Sequence, residues 1–198
     1  MKKVLIIGAG AIGRGFLAPL LYDLNFEISF LDKNIDLVKK LNKKKTYIAA
    51  ITNNNSYIFK KIILKKAFNL KEKLNIKEYN LVFCCVGPKQ CEKIAGRLKN
   101  AKVIISCEND FFSVTKIKKK SRNKNVFFGI PDVITSSTAP KNLLKTDELT
   151  TVSEQGELIL EKGKYNISKK IKQVNRGELD QHWRAKLFIH NAPHAILA

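Results

Sequence analysis

Val4-Leu-Ile-Ile7-Gly8-Ala-Gly10-Ala-Ile-Gly13 is the stretch that decides the fold. Four aliphatic residues in a row read as a short buried strand, and three glycines spaced as GxGxxG follow at once. Gly8 allows a tight turn, Gly10 lets the backbone approach a pyrophosphate, and Gly13 lets the next helix pack against the strand. The start of that helix offers partial positive charge to phosphates. Residues 12–24 read as the helix, with Pro19 requiring a kink or a late start. Residues 27–31 form a second strand that ends at Asp32, 19 residues beyond Gly13. A carboxylate there accepts hydrogen bonds from adenosine ribose hydroxyls and repels a 2′-phosphate, so NAD is favoured over NADP. Lys33 beside it weakens that preference. Glycines alone also serve ordinary turns; the strand, the helix and the acid around them supply the context a dinucleotide site requires.

Outward from this unit, a short helix is expected at 36–41, and 47–64 alternates like a hairpin turning at Asn53-Asn54-Asn55. Residues 81–86 are continuously apolar, as in the middle of a parallel sheet. Gly87-Pro88 breaks the run, and 90–98 resumes as a helix. Further strands are expected at 103–107, ending in Glu108-Asn109, and at 126–130, before a polar loop through Ser136, Ser137 and Pro140. Residues 151–161 alternate like a strand pair around Gln155-Gly156, and from about Leu179 the pattern is helical. Strands separated by helices imply an α/β, doubly wound parallel sheet of Rossmann-like type. Residues 1–178 are expected to form it, with added strands, and 179–198 to be the first helix of a C-terminal helical substrate domain.

Composition excludes several classes. No apolar run approaches the roughly 20 residues of a membrane span, and the apolar start is too short for a signal peptide. Cys84, Cys85, Cys91 and Cys107 lack zinc-ligand spacing; reduced, buried thiols in a cytoplasmic protein are the expectation. The net charge of +20 is almost all lysine, with Arg14, Arg97, Arg122, Arg176 and Arg184 the only arginines. Base-reading surfaces favour arginine and interleaved aromatics, which the clusters Lys39-Lys40, Lys60-Lys61 and Lys118 to Lys120 lack. A solvated surface is expected, with no specific nucleic-acid and no membrane partner, whose field attracts phosphorylated or acidic small molecules.

Near the end stands Lys186-Leu-Phe-Ile-His190-Asn191-Ala-Pro-His194. On a helix, Lys186, Asn191 and His194 fall within about 140° of arc. One face would carry a proton-transfer group, a donor to a carbonyl oxygen and an orienting ring, although Pro193 disturbs the last turn. By itself this spacing is also that of an ordinary amphipathic helix.

Taken in order, the Gly8 to Phe16 loop, Phe30-Leu-Asp32, Val86-Gly-Pro88, Cys107-Glu-Asn109 and Lys186 to His194 resemble one family, the polyol-specific long-chain (mannitol) dehydrogenases. The resemblance runs from Met1 to Ala198, and the lysine–asparagine–histidine spacing is its most specific motif. It implies a metal-independent, NAD-linked interconversion of a sugar alcohol phosphate and a ketose phosphate, mannitol 1-phosphate and fructose 6-phosphate being the expected pair. Lys186 would be the general base, Asn191 and Asn109 donors to the developing alkoxide, and His194 an orienting group. Gly8, Gly10, Ile12, Gly13, Arg14, Asp32, Val86, Gly87 and Asn109 would hold the cofactor. His182 and His190 are read as ordinary helix residues.

Two departures stand out. Family members commonly carry Val-Asp-Arg after the strand near residue 130, where this chain has Thr135-Ser136-Ser137; Asp132 does not replace that pair. Family chains also continue into an all-helical domain, so a truncated chain is expected, completed by self-association or a second polypeptide. The alternatives are a related polyol or uronate dehydrogenase, a non-catalytic NAD-binding remnant, a ketopantoate-reductase-like enzyme, which Asp32 disfavours, and a nucleotide-sensing or nucleic-acid-binding module.

Overall fold

β1 (Lys2–Ile7) lies between β2 (Phe26–Asp32) and β5 (Leu81–Cys84) and runs parallel to both. The computed structural model describes residues 1–54, 56–136 and 139–191, the last three of these by backbone alone. Val4 to Ile7 are fully buried because both faces of β1 are covered, which is why the strand reads as an unbroken apolar run. Strand alternation sends Val4 and Ile6 into one core cluster and Leu5 and Ile7 into the other.

Six strands complete the parallel sheet: β4 (Ser56–Asn69), β2, β1, β5, β6 (Ile104–Ser106) and β7 (Val126–Asp132), in that spatial order. The order reverses between β1 and β5, so their carboxyl ends open the crevice in which doubly wound sheets bind ligands. The expected fold class holds.

The helix after β1 starts with a π-helical turn, Ala11–Leu17, and continues as α1, Ala18–Asp23. Pro19 falls in the first turn of the α-helical part, so the late start accommodates it without a break. α2 is longer than expected (Ile35–Lys44), capped by Asn34, whose side chain accepts from the Leu37 N–H at 3.0 Å. β3 (Thr46–Asn53) and β4 form the expected hairpin, with Asn53 opposite Ser56. β4 then runs beyond the expected end at 64 and pairs parallel with β2 from Leu64 to Asn69. α3 (Pro88–Ile94) with its following turn and α4 (Phe112–Ser121) supply the remaining crossovers.

The strand pair expected at 151–161 is not one. β9 (Thr151–Ser153) pairs parallel with β3 and antiparallel with β8 (Thr135–Ser136), whereas β10 (Glu157–Glu161) lies antiparallel to β7 and parallel to β11 (Lys172–Val174). Both segments are used to cover open edges, β3 on one side and β7 on the other. Only Val133 and Ile134 link β7 to β8, and residues 154–156 link β9 to β10. Links this short draw the two ends of the sheet together over the Ala11–Leu17 turn, which packs against β3, β7, β8 and β9. α5 (Lys141–Thr146) lies on the loop between β8 and β9.

α6 (Arg176–Ala185) begins three residues earlier than the periodicity implied, because Asn175 caps it by accepting from the Glu178 N–H at 3.0 Å. It continues into a π-helical turn, Lys186–Asn191. Among the described residues no helix is long and apolar enough to cross a membrane.

Candidate active site

At the carboxyl end of β1 the chain has no room for side chains. Gly8 sits at φ +100°, and a Cβ there would meet the Cys85 carbonyl oxygen at 2.4 Å. A Cβ on Gly13 would lie 1.8 Å from the Gly8 carbonyl oxygen, so only glycine lets the helix approach the strand this closely. A Cβ on Gly10 would meet nothing within 4 Å outside its own helix and chain neighbours, and no side chain caps the helix start there. Open space beside an uncapped helix start is what a phosphate requires.

Asp32 stands at the end of β2 against this loop. Its Oδ2 accepts from the Ala9 N–H at 2.7 Å and its Oδ1 from the Asn34 N–H at 2.8 Å. Both oxygens are fixed by backbone, and each keeps acceptor capacity for a further donor. Gly8, Gly10, Asp32, Lys33, Val86 and Gln90 line a cleft of about 230 Å³. An adenosine ribose fits this donor and acceptor set, so the residues present suit a nicotinamide dinucleotide.

Arg14 lies elsewhere. Its side chain is buried, lines neither this cleft nor the next, and donates from Nε to the Ala9 carbonyl and from Nη1 to that of Leu149. Tyr47 donates its hydroxyl to the Arg14 carbonyl at 2.7 Å. The expectation of a cofactor contact by this guanidinium is corrected: it braces the glycine loop from inside.

A second cleft of about 300 Å³ opens at the ends of β5, β6 and β7, lined by Ile12, Glu108, Asn109, Pro131, Thr135 and Lys186 among others. Cys85 lines both clefts, so they adjoin at the switch point. Lys186 opens the π-helical turn and is 9% exposed, with its Nζ donating to the Pro131 carbonyl. Burial pulls its pKa below the ordinary lysine value, against the opposing pull of Asp132 and Cys107. Single π-helical turns are found at functional sites more often than chance. Asn109 is exposed at the cleft wall. The structure thus brings Lys186, Asn109 and Ile12 to one cleft, and Gly8, Gly10, Asp32 and Val86 to the adjoining one. His194 and the Asn191 side chain lie outside the described residues.

Cys85, Thr135 and Glu108 are among the lining residues to which the sequence assigns no role. Burial holds the Cys85 and Cys107 thiols protonated, which makes them poor nucleophiles. All four cysteines are free, and all but Cys85 are buried. Glu108 is buried too, and its signal was an acid directly after an apolar strand.

Comparison with known proteins follows the same line. The mannitol dehydrogenase Rossmann domain family matches residues 2–126. The mannitol-1-phosphate 5-dehydrogenase of Clostridium acetobutylicum is 32% identical over 99% of this chain and 58% of its own length. That of Buchnera aphidicola subsp. Baizongia pistaciae is 28% identical over 99% and 58%. The chain therefore spans a little over half the length of the curated relatives it matches. Among solved structures, D-mandelate dehydrogenase with NADH and anilino(oxo)acetate superposes with a TM-score of 0.67 at 16% identity, covering 93% of this chain and 60% of that one. The putative 2-dehydropantoate 2-reductase of Enterococcus faecalis gives 0.65 at 15% identity, covering 94% and 60%. At such identities these two speak for the fold alone. The glycine loop, the order of the parallel strands and the match over residues 2–126 agree: the chain belongs to the mannitol dehydrogenase family and carries its Rossmann domain.

Proposed function

We propose that this chain is the dinucleotide-binding and proton-transferring part of an NAD-linked polyol-phosphate dehydrogenase acting on mannitol 1-phosphate and fructose 6-phosphate. The observation that carries the reading is the buried Lys186, which shares a cleft with Asn109 and adjoins, at Cys85, the cleft bounded by Gly10 and Asp32. The curated relatives that match the whole chain bear the name of that activity. Residues 1–178 serve as the cofactor domain, and 179–198 begin the substrate-covering part, supplied further by the same or a second polypeptide or by self-association.

When bound, NAD supplies the hydride acceptor. Asp32 holds the adenosine ribose, and its charge discriminates against a 2′-phosphate. Lys186, whose burial lowers its pKa toward that of a usable base, takes the proton of the substrate alcohol and returns it in the reverse direction. Asn109 donates to the oxygen on which negative charge develops, with Asn191 as a second donor and His194 orienting the substrate. Thr135 puts a hydroxyl in the cleft near where the family carries an acid and a guanidinium, which narrows recognition to neutral polar contacts there. The lysine-rich surface draws a phosphorylated substrate toward the cleft. The free thiols suit a reducing compartment, and the cytoplasm is the proposed location.

The test is NADH consumption with fructose 6-phosphate by this chain, beside a Lys186→Met variant. Turnover with NADH that the variant loses supports the reading. NADH binding without turnover leaves the cofactor assignment standing and removes independent catalysis by this chain.

A further inference from the structure

Glu108 takes no part in the steps above, yet it sits between the two clefts. The residue is 7% exposed. Oε1 accepts from the Val86 N–H at 2.8 Å, from the Gly87 N–H at 3.0 Å and from the Cys91 thiol at 3.0 Å, and Oε2 accepts from the Gly87 N–H at 3.0 Å. Val86 lines the dinucleotide cleft, Gly87 opens α3, and Asn109 follows Glu108 directly at the wall of the other cleft.

We infer that Glu108 is a positioning residue, whose carboxylate fixes the Val86–Gly87 turn beneath the dinucleotide and ties that turn to Asn109. One acceptor group then sets both the floor of the cofactor cleft and the place of the donor to the alkoxide. The inference rests on the dinucleotide-binding reading given above.

Energetics separate this role from a structural one. All three donors are neutral, and a buried carboxyl among neutral partners pays a desolvation cost. Burial pushes the Glu108 carboxyl above the ordinary carboxylate range, against the pull of Cys91, Val86 and Gly87; Asp110 pushes it further. The groups facing it are Cys91 on α3, Cys85 after β5, and Cys107 and Asp110 on its own segment. A folded pKa raised above the unfolded one means stability is lost as pH rises between the two values. The ionised carboxyl therefore weakens the fold while it orders the turn.

The experiment compares the wild-type chain with Glu108→Gln in three readings: urea unfolding, amide exchange of Val86 and Gly87 without ligand, and NADH fluorescence titration. The amide variant is expected to unfold no more easily than wild type. Exchange at Val86 and Gly87 should rise, and the NADH Kd should weaken, each by about tenfold for one charge-assisted hydrogen bond. In the wild type, exchange corrected for intrinsic rates should also rise as pH falls through the raised carboxyl pKa, a limb absent from Glu108→Gln; this reading needs no variant that might misfold. Unchanged exchange and Kd in Glu108→Gln, beside a wild type that binds NADH, would overturn the inference and leave the cofactor reading intact. A wild type that binds no NADH but shows the exchange response would remove the cofactor reading and keep the clamp on the turn.

Discussion

Burial takes the Lys186 ammonium out of water and lowers its pKa, so the folded chain holds this charge less readily than the unfolded chain does. The stability so lost is fully missing below the lowered value and is recovered as pH rises from that value toward the ordinary one. Lys186→Met should therefore leave stability unchanged or raise it by about 1 kcal/mol, in the manner of many active-site substitutions. Turnover should fall by roughly 10²–10⁴, the usual worth of a general base. Urea unfolding and NADH assays read the two effects separately. In the wild type, alcohol oxidation should rise with pH along a limb whose midpoint lies below the ordinary lysine pKa, and ketone reduction should fall along the same limb. Gly13→Ala puts a Cβ 1.8 Å from a backbone oxygen that no side-chain rotation relieves; a loss of about 3 kcal/mol or more on urea unfolding is expected. Gly8, Gly10, Gly13 and Asp32 were legible in the sequence because their backbone geometry follows from spacing and from the lack of a side chain. Arg14 and Glu108 were not, since whether a charged side chain turns inward depends on β9, β5 and α3, which are remote in sequence.

Elements were legible where one local signal governed them. β1 and β5 are unbroken apolar runs because they are covered on both faces. Periodicity places the start of α6 three residues late because it does not register the cap at Asn175, although Asn175 and Glu178 together are a start signal. The alternation of 151–161 suggests that β9 and β10 pair with each other, but alternation fixes a strand's faces and not its partner. Asn175→Ala removes the cap and should cost about 1 kcal/mol. Lys186 continues from the same helix, so the substitution should also raise amide exchange through the Lys186–Asn191 turn, measured without ligand.

The whole molecule carries +20 charges on 198 residues. Among the described residues, exposed ion pairs such as Lys40 with Glu148 and Lys120 with Glu92 contribute little individually. Self-repulsion dominates at low ionic strength, so adding salt from about 10 mM to about 200 mM should raise the melting temperature by a few degrees, as screening shortens the reach of the field. A melting temperature that falls over that range would mean these ion pairs outweigh repulsion. The central claim, that the glycine loop and Asp32 form an NAD site, is tested most directly by calorimetric titration of the chain with NADH and with NADPH. Binding of NADH at least about tenfold tighter, the discrimination worth 1.4 kcal/mol that a carboxylate set against a 2′-phosphate readily provides, is the expected result. Equal affinity, a preference for NADPH, or no binding of either would contradict it.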